Sequence, residues 1–376
     1  MRILIVVSGY FPAQNYGGPP VSILNFCRLM SHDIDCYIVT SNHEYGSKAE
    51  LKGIGEGWQL QGNAHVRYLK ESEMRVPYFQ KILDEVKPDW IYLNSIFDMK
   101  RTYPFLSLAE QKNIRALIAP RGELCKNAFK KKYKKMPYLW ALKKYWKSRL
   151  ISFQSTSEEE TEAIKKILHI SPDRILLLDN IPTIPDFLHI CNDKRSGELF
   201  LVFLSRIHPK KNLIFALNCI RQLHGDIRMA IYGPLENPDY WNDCLQIIAN
   251  MPGNVQVSYQ GVVKHAEVYN VLSGYQVFFL PTLSENYGHV IAEALLAGLP
   301  VMISDQTPWN DVNKAEAGWA ISLNNQKEFI DNLQKLVDMN GVEFQRISRN
   351  AIEFVKSRVD VKRIREEYLG VLHGNE

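Results

Sequence analysis

The chain has no apolar run approaching the roughly 18–20 residues needed to cross a bilayer. Its opening stretch Ile3–Val7 follows one arginine and leads into Ser8-Gly9-Tyr10-Phe11-Pro12. That stretch is too short for a secretory leader, lacks a small-residue cleavage site, and reads instead as a first buried strand. Six cysteines (Cys27, Cys36, Cys125, Cys191, Cys219, Cys244) include no Cys-x-x-Cys pair. Their scatter excludes zinc-ribbon and thioredoxin spacings and leaves reduced, mostly buried thiols. No Gly-x-Gly-x-x-Gly is present, which disfavours a nicotinamide enzyme. No cluster of His, Cys and carboxylates has metal-ligand spacing, so no metal or other cofactor is expected. Low-complexity tracts and short-period repeats are lacking as well. A net charge of only +4 gives no ground for a nucleic-acid partner. The expected location is the cytoplasm.

What is present is a soluble globular composition, with 46% hydrophobic and 23% charged residues in 376, a length that favours two domains. Short β-branched and aromatic runs alternate with helical patterns. In the first half the strand candidates are Ile3–Val7, Cys36–Thr40, Val66–Leu69, Trp90–Asn94, Ala116–Ala119, Leu150–Gln154 and Ile175–Leu178. Val21–Met30, Tyr78–Val86 and Glu158–Leu168 read as helices between them. The pattern restarts at Leu199–Leu204 and continues through Met229–Tyr232, Val255–Tyr259, Val277–Leu280, Val301–Ser304 and Ala320–Leu323. The helices there are Asn212–Leu223, Tyr240–Ile248, His265–Leu272, Val290–Ala297 and Gln326–Met339, with a last one near Val361–Leu372. Runs that are apolar without alternation suit strands covered on both faces, so repeated βα units predict an α/β protein of two doubly wound domains. Ligands of such sheets bind beyond the carboxyl ends of the strands. The join is expected within Asn180–Gly197, which has two prolines and a charge cluster.

The most informative segment runs Leu283-Ser284-Glu285-Asn286-Tyr287-Gly288-His289 and on through Glu293 to Gly298-Leu299-Pro300. A strand ends, a polar loop follows, and a helix begins near Gly288. Glu285 and Glu293, eight residues apart, lie no more than roughly 12 Å apart along a helical path. That spacing suits two carboxylates gripping opposite ends of an extended ligand. Asn286, Tyr287 and Gly288 offer amide groups at a helix N-terminus, where a diphosphate is stabilised. Either glutamate alone is equally an acid favoured by the helix dipole. A second element, Ser205-Arg206-Ile207-His208-Pro209-Lys210-Lys211-Asn212, places cations between a strand and a helix. Positioned Arg and Lys offset charge gathering on a departing diphosphate, although a solvated loop cluster has the same composition. Third is the loop Tyr16-Gly17-Gly18-Pro19-Pro20, whose glycines allow close backbone approach and whose prolines suit a first helical turn.

Taken whole, the Glu285–Pro300 segment resembles the Glu-x7-Glu signature of glycosyltransferase family 4, retaining and metal-independent enzymes of GT-B fold. The resemblance covers most of the chain and is densest over Leu199–Leu323. It implies two Rossmann-like domains with a cleft between them. Residues 1–185 would bind the acceptor, completed by a returning C-terminal helix at 358–376, and residues 186–357 would bind the nucleotide-sugar donor. It implies further that Glu285 meets the donor sugar and Glu293 the ribose, with Arg206 and Lys211 on the phosphates. Gly17 and Gly18 would face the donor phosphates and the acceptor, and Gly233 would line the nucleotide pocket. The activity implied is sugar transfer from a nucleotide-sugar, UDP favoured and GDP-mannose the rival. The acceptor would be a glycan or lipid-linked oligosaccharide in polysaccharide or lipopolysaccharide synthesis.

One position departs from that family. Many members carry a histidine just past the strand that here reads Ala116–Ala119, where this chain has Pro120-Arg121-Gly122-Glu123. Arg121 is a candidate for an acceptor phosphate or for a structural salt bridge, and Glu123 for orienting the acceptor hydroxyl. The missing histidine also keeps open a catalytically silent binding module of the same fold. A glycoside hydrolase is the weaker enzyme alternative, because both glutamates flank a phosphate-type loop. Between Glu123 and Glu158 no acid occurs, while Lys126–Arg149 holds ten cations interleaved with aromatics. Lys130, Lys131, Lys132, Lys134 and Lys135 with Trp140 and Trp146 suit an anionic membrane surface, giving a peripheral address on its inner face. Nucleic-acid binding uses the same ingredients, and a solvated helical face is the plain alternative. Asp33-Ile34-Asp35 precedes a strand and reads as an ordinary loop, not a metal signature.

Overall fold

The computed structural model describes residues 1–47, 49–125, 129, 132–183 and 194–374, and of Lys132 and Lys134 the backbone alone. The chain divides into two compact units, one of Met1–Ile181 with Val361–Glu376 and one of Pro182–Asp360. Residues 184–193, inside the expected join, lie outside the described residues.

Unit 1 contains β1 (Arg2–Val7), α1 (Gly18–Met30), β2 (Asp35–Ser41), β3 (Gln59–Gln61), β4 (Ala64–Leu69), α2 (Val76–Val86), β5 (Trp90–Asn94), α3 (Thr102–Lys112), β6 (Arg115–Ala119), α4 (Lys132–Leu142), β7 (Ile151–Ser155), α5 (Glu158–Leu168) and β8 (Ile175–Leu177). Its sheet has the order β3-β4-β2-β1-β5-β6-β7-β8 and is parallel except for β3. Ile3 to Val7 are all buried, which is why β1 reads as an unbroken apolar run. The first helix starts three residues earlier than expected, because prolines are tolerated in a first turn. Ser157 caps α5 by accepting from the Glu160 amide at 3.2 Å.

Unit 2 contains β9 (Glu198–Leu204), α6 (Leu213–Ile220), β10 (Asp226–Tyr232), α7 (Pro238–Ala249), β11 (Val255–Gly261), α8 (Val268–Leu272), β12 (Val277–Leu280), α9 (His289–Leu296), β13 (Val301–Ser304), β14 (Gly318–Ile321), α10 (Gln326–Asp338) and α11 (Gly341–Arg358). All six strands are parallel, in the order β11-β10-β9-β12-β13-β14. The order reverses between β9 and β12, which is where a doubly wound sheet leaves a crevice. The expected helix Asn212–Leu223 starts instead at Leu213, after Asn212 takes a left-handed φ of 61°. Residues expected as one helix from His265 split into a 3-10 turn and α8. A further helix that the sequence pattern does not announce, α11, buries Phe344, Ile347, Ala351, Ile352 and Val355 at helical spacing.

The last helix, α12 (Val361–His373), belongs to unit 1, as expected. It buries Ile364, Tyr368 and Leu372. The Tyr368 ring meets Phe26 at 5.3 Å, and Trp90 Nε1 donates to the Leu372 carbonyl at 2.9 Å. Each such apolar side chain contributes about 1.5–3 kcal/mol when fully buried. Both units thus have the doubly wound α/β architecture.

Candidate functional site

In unit 2 the loops after β9 and β12 are tied backbone to backbone. The Lys210 carbonyl accepts from the Leu283 amide at 2.8 Å and from Thr282 Oγ1 at 3.1 Å. Asn212 Nδ2 donates to the Pro281 carbonyl at 3.0 Å. These bonds bring Lys211 Nζ against Glu285 Oε1, with each side chain only 11% exposed. Two residues 74 apart in sequence thereby form an ion pair at the point where strand order reverses. The Glu285 amide in turn donates to the Gln306 carbonyl at 3.0 Å, which joins the loop after β13 to the same edge.

Gly288 has φ 78° and immediately precedes α9. A Cβ there would sit 2.9 Å from Ile291 Cδ1, in a backbone region that disfavours other residues. Trp309 Nε1 donates to the Tyr287 carbonyl at 2.5 Å, fixing the turn from behind. As at any helix N-terminus, the dipole at the start of α9 favours an anion beside Asn286, Tyr287 and Gly288. Further along α9, Glu293 Oε1 lies 3.2 Å from His265 Nε2. Sequence reasoning misses His265, since no spacing ties it to the glutamate.

Arg206, after β9, donates from Nη1 to both carboxylate oxygens of Glu236, at 2.8 and 3.0 Å. Glu236 is missed for the same reason. The two loops meet through Gly233, whose φ is 133° and where a Cβ would lie 1.9 Å from the Ser205 carbonyl oxygen. No other side chain fits there. Arg206, Lys211, Glu285, Glu293, Gly233 and the Asn286–Gly288 turn are therefore all gathered at one edge of the unit 2 sheet.

Residues 187–354 match the family model of glycosyl transferases group 1. Unit 2 carries a glycosyl transferases group 1 domain. A search of the curated proteins returns no match. Among solved structures the chain is similar to Anabaena Alr3699/HepE in complex with UDP and glucose, at 14% identity and TM-score 0.73 over 100% of both chains. It is also similar to the sucrose-phosphate synthase of Thermosynechococcus elongatus, at 12% identity and TM-score 0.76 over 99% of this chain and 98% of that one. WaaG, a glycosyltransferase involved in lipopolysaccharide biosynthesis, matches at 12% identity and TM-score 0.69 over 99% and 100%. Such identities speak for the fold, which is GT-B. In the group 1 domain the Lys211–Glu285 pair and the start of α9 occupy the carboxyl edge of the sheet.

Unit 1 holds the remaining candidates. Gly17, with φ 77°, precedes α1, and Gly18 is its first residue. Arg121, with φ 54°, donates only to uncharged acceptors among the described residues, which corrects the salt-bridge expectation there. Its Nη2 donates to Asn94 Oδ1 at 2.6 Å and to the Tyr92 hydroxyl at 2.8 Å, and its Nη1 to Asn180 Oδ1 at 2.8 Å. Glu123 has both oxygens engaged in the turn after β5. Oε1 accepts from Ser95 Oγ at 2.7 Å, and Oε2 from the amides of Ile96 at 2.8 Å and Phe97 at 3.3 Å. Burial pushes the Glu123 carboxyl above its ordinary pKa, against the pull of those donors.

Of the basic stretch, Lys130 and Lys131 lie outside the described residues, and Lys132 and Lys134 are placed only as backbone of α4. Trp140 is 78% exposed on that helix. Trp146 does not face a surface. A 3-10 turn, Tyr145–Lys147, directs it inward, where it packs edge-on against Phe153 at 5.2 Å. Lys135 Nζ sits 4.3 Å from the centre of the Phe97 ring instead of extending into solvent. Among the described residues no helix is long and apolar enough to cross a membrane.

Proposed function

We propose that this chain is a retaining glycosyltransferase that moves a sugar from a nucleoside diphosphate to a glycan or lipid-linked acceptor without a metal. The observation that carries the reading is the Lys211–Glu285 pair at the strand-order reversal of a group 1 domain. A diphosphate there would exchange for Glu285 on Lys211 and for Glu236 on Arg206, freeing Glu285 for hydroxyls of the donor sugar. Glu293 would take the ribose hydroxyls, held meanwhile by His265. As the bond from the anomeric carbon to the diphosphate oxygen breaks, charge gathers on that oxygen. Arg206, Lys211 and the α9 amides offset it. The acceptor oxygen bonds to the anomeric carbon on the same face, and its proton passes to the departing diphosphate. UDP is the favoured carrier, in keeping with the UDP named in the HepE complex.

The acceptor side falls to unit 1. The exposed Trp140, with Tyr133 72% and Met136 45% exposed on the same helix, gives α4 an apolar stripe in an acid-free, lysine-rich stretch. That combination suits docking on an anionic membrane at its cytoplasmic face, where a lipid-linked acceptor would be met. Calorimetric titration with UDP-glucose and GDP-mannose, followed by the anomeric configuration of the transferred sugar, tests the reading. Binding of one donor and a retained anomer are expected. No binding of either, or an inverted product, contradicts it.

A further inference from the structure

The unit 1 sheet reverses its strand order between β1 and β5, so it too has a crevice edge. Side chains from three strand ends meet there: Ser8 after β1, Ser41 closing β2, and Asp98 and Arg101 after β5. Arg101 is only 5% exposed. Its Nη1 donates to Asp98 Oδ2 at 2.5 Å, and its Nη2 donates to Ser41 Oγ. Ser8 Oγ donates to the same Asp98 Oδ2 at 2.9 Å. Two donors therefore fix one carboxylate oxygen, while Oδ1 has no hydrogen-bond partner among the described residues. The Asp98 side chain keeps 12% exposure, so it is neither sealed in nor loose. A carboxylate whose rotamer is already set loses little freedom when it binds a hydroxyl.

Glu123 supplies the contrast. Both of its oxygens are consumed in folding the turn Ser95–Phe97, and Ser95 Oγ then accepts from the Asp98 amide at 3.1 Å. Glu123 thus builds the turn that carries Asp98, and Asp98 retains the spare acceptor. Beside them is a further polar group, the Tyr138 hydroxyl, which is buried without a partner among the described residues. The negative charges of Asp98 and Glu123 both reach it, adding to the effect of its burial.

We propose that Asp98 is an acceptor-binding residue, taking a hydrogen bond from a hydroxyl of the saccharide acceptor on its Oδ1. The assignment rests on the sugar-transfer reading above and adds a residue to it that no motif marks. Arg101 and Ser8 act as positioning residues that aim the carboxylate.

The test measures transfer from UDP-glucose and GDP-mannose to octyl glucoside, octyl galactoside and octyl mannoside, with donor hydrolysis by water and UDP affinity measured in parallel. Asp98→Asn should lower kcat/KM for the glycoside about 10- to 100-fold, the range for a lost hydrogen bond to a charged group, mainly through KM. UDP affinity and donor hydrolysis should stay at the wild-type level. Because Asp98→Asn leaves Arg101 buried without its counter-charge, the double variant Asp98→Asn/Arg101→Gln removes both charges together and should show the same loss. Wild-type glycoside kinetics in either variant overturns the assignment. A wild-type protein that neither transfers nor hydrolyses either donor overturns the sugar-transfer reading itself.

Discussion

At its carboxyl edge unit 2 pairs cations with carboxylates, Lys211 with Glu285 and Arg206 with Glu236, and sets His265 beside Glu293. At the matching edge of unit 1 the described residues form one such pair, Arg101 with Asp98, and beside it Arg121 donates to the uncharged acceptors Tyr92, Asn94 and Asn180. The two edges share a parallel-sheet plan, yet they answer a ligand differently. An ion pair opens for a ligand that brings its own charge, because a phosphate replaces the glutamate on the lysine with little net loss. The Arg121 web holds no carboxylate to exchange, and breaking it strands buried donors and acceptors at about 1–3 kcal/mol each. Exchangeable pairs suit a charged donor that must come and go, whereas the fixed web suits a rigid frame.

The largest effect that would sharpen this contrast is at Lys211. Lys211→Met should reduce transfer from UDP-glucose by about 10²–10³-fold, with UDP affinity falling in the same titration. Arg121→Gln should leave UDP affinity unchanged, and equal losses from the two variants would erase the distinction. Next is the frame itself. Leu372→Ala in α12 should cost about 2–5 kcal/mol of stability by opening a cavity under the last helix, read from denaturant unfolding. An unchanged midpoint would mean that α12 is not part of the unit 1 core.

A smaller effect concerns Glu123. Burial raises its folded pKa above the unfolded value. Its contribution to stability is therefore full below about pH 4 and is lost as pH rises through the folded value. Glutamine imitates the protonated form, so the melting temperature of wild type minus that of Glu123→Gln should fall between about pH 4 and pH 8. A difference that grows with pH would contradict the buried, raised carboxyl. Smallest in stability is Trp140→Ala, expected within about 0.5 kcal/mol of wild type because the side chain is exposed. The same variant should lose affinity for anionic liposomes at low salt, and full retention of binding would remove α4 as the docking helix.

The unit 2 edge is largely legible in the order of its residues, and the unit 1 edge is not, for a physical reason. Glu285, Glu293, Gly288 and Gly298 sit in one continuous strand–loop–helix, so their spacing alone carries the geometry. Gly233 and Arg206 lie at strand ends, where a doubly wound pattern places ligands. Their partners Glu236 and His265 come from separate loops, and only the fold brings them near. In unit 1, Ser8, Ser41, Asp98 and Arg101 come from three strand ends with no shared motif. Arg121 and Glu123 are visible as a departure from a familiar pattern, but their hydrogen bonds to Asn180 and Ser95 cannot be read from spacing. Trp146 shows the limit of composition: beside ten cations it resembles an interfacial aromatic, yet its 3-10 turn points it into the core.

The most direct measurement is the position of UDP in crystals of this protein soaked with the nucleotide. The diphosphate is expected against Lys211 and Arg206 and the amides that open α9, with Glu285 parted from Lys211 and Glu293 on the ribose. Ordered UDP bound elsewhere, with the Lys211–Glu285 pair intact, would contradict the assignment of this edge as the donor site.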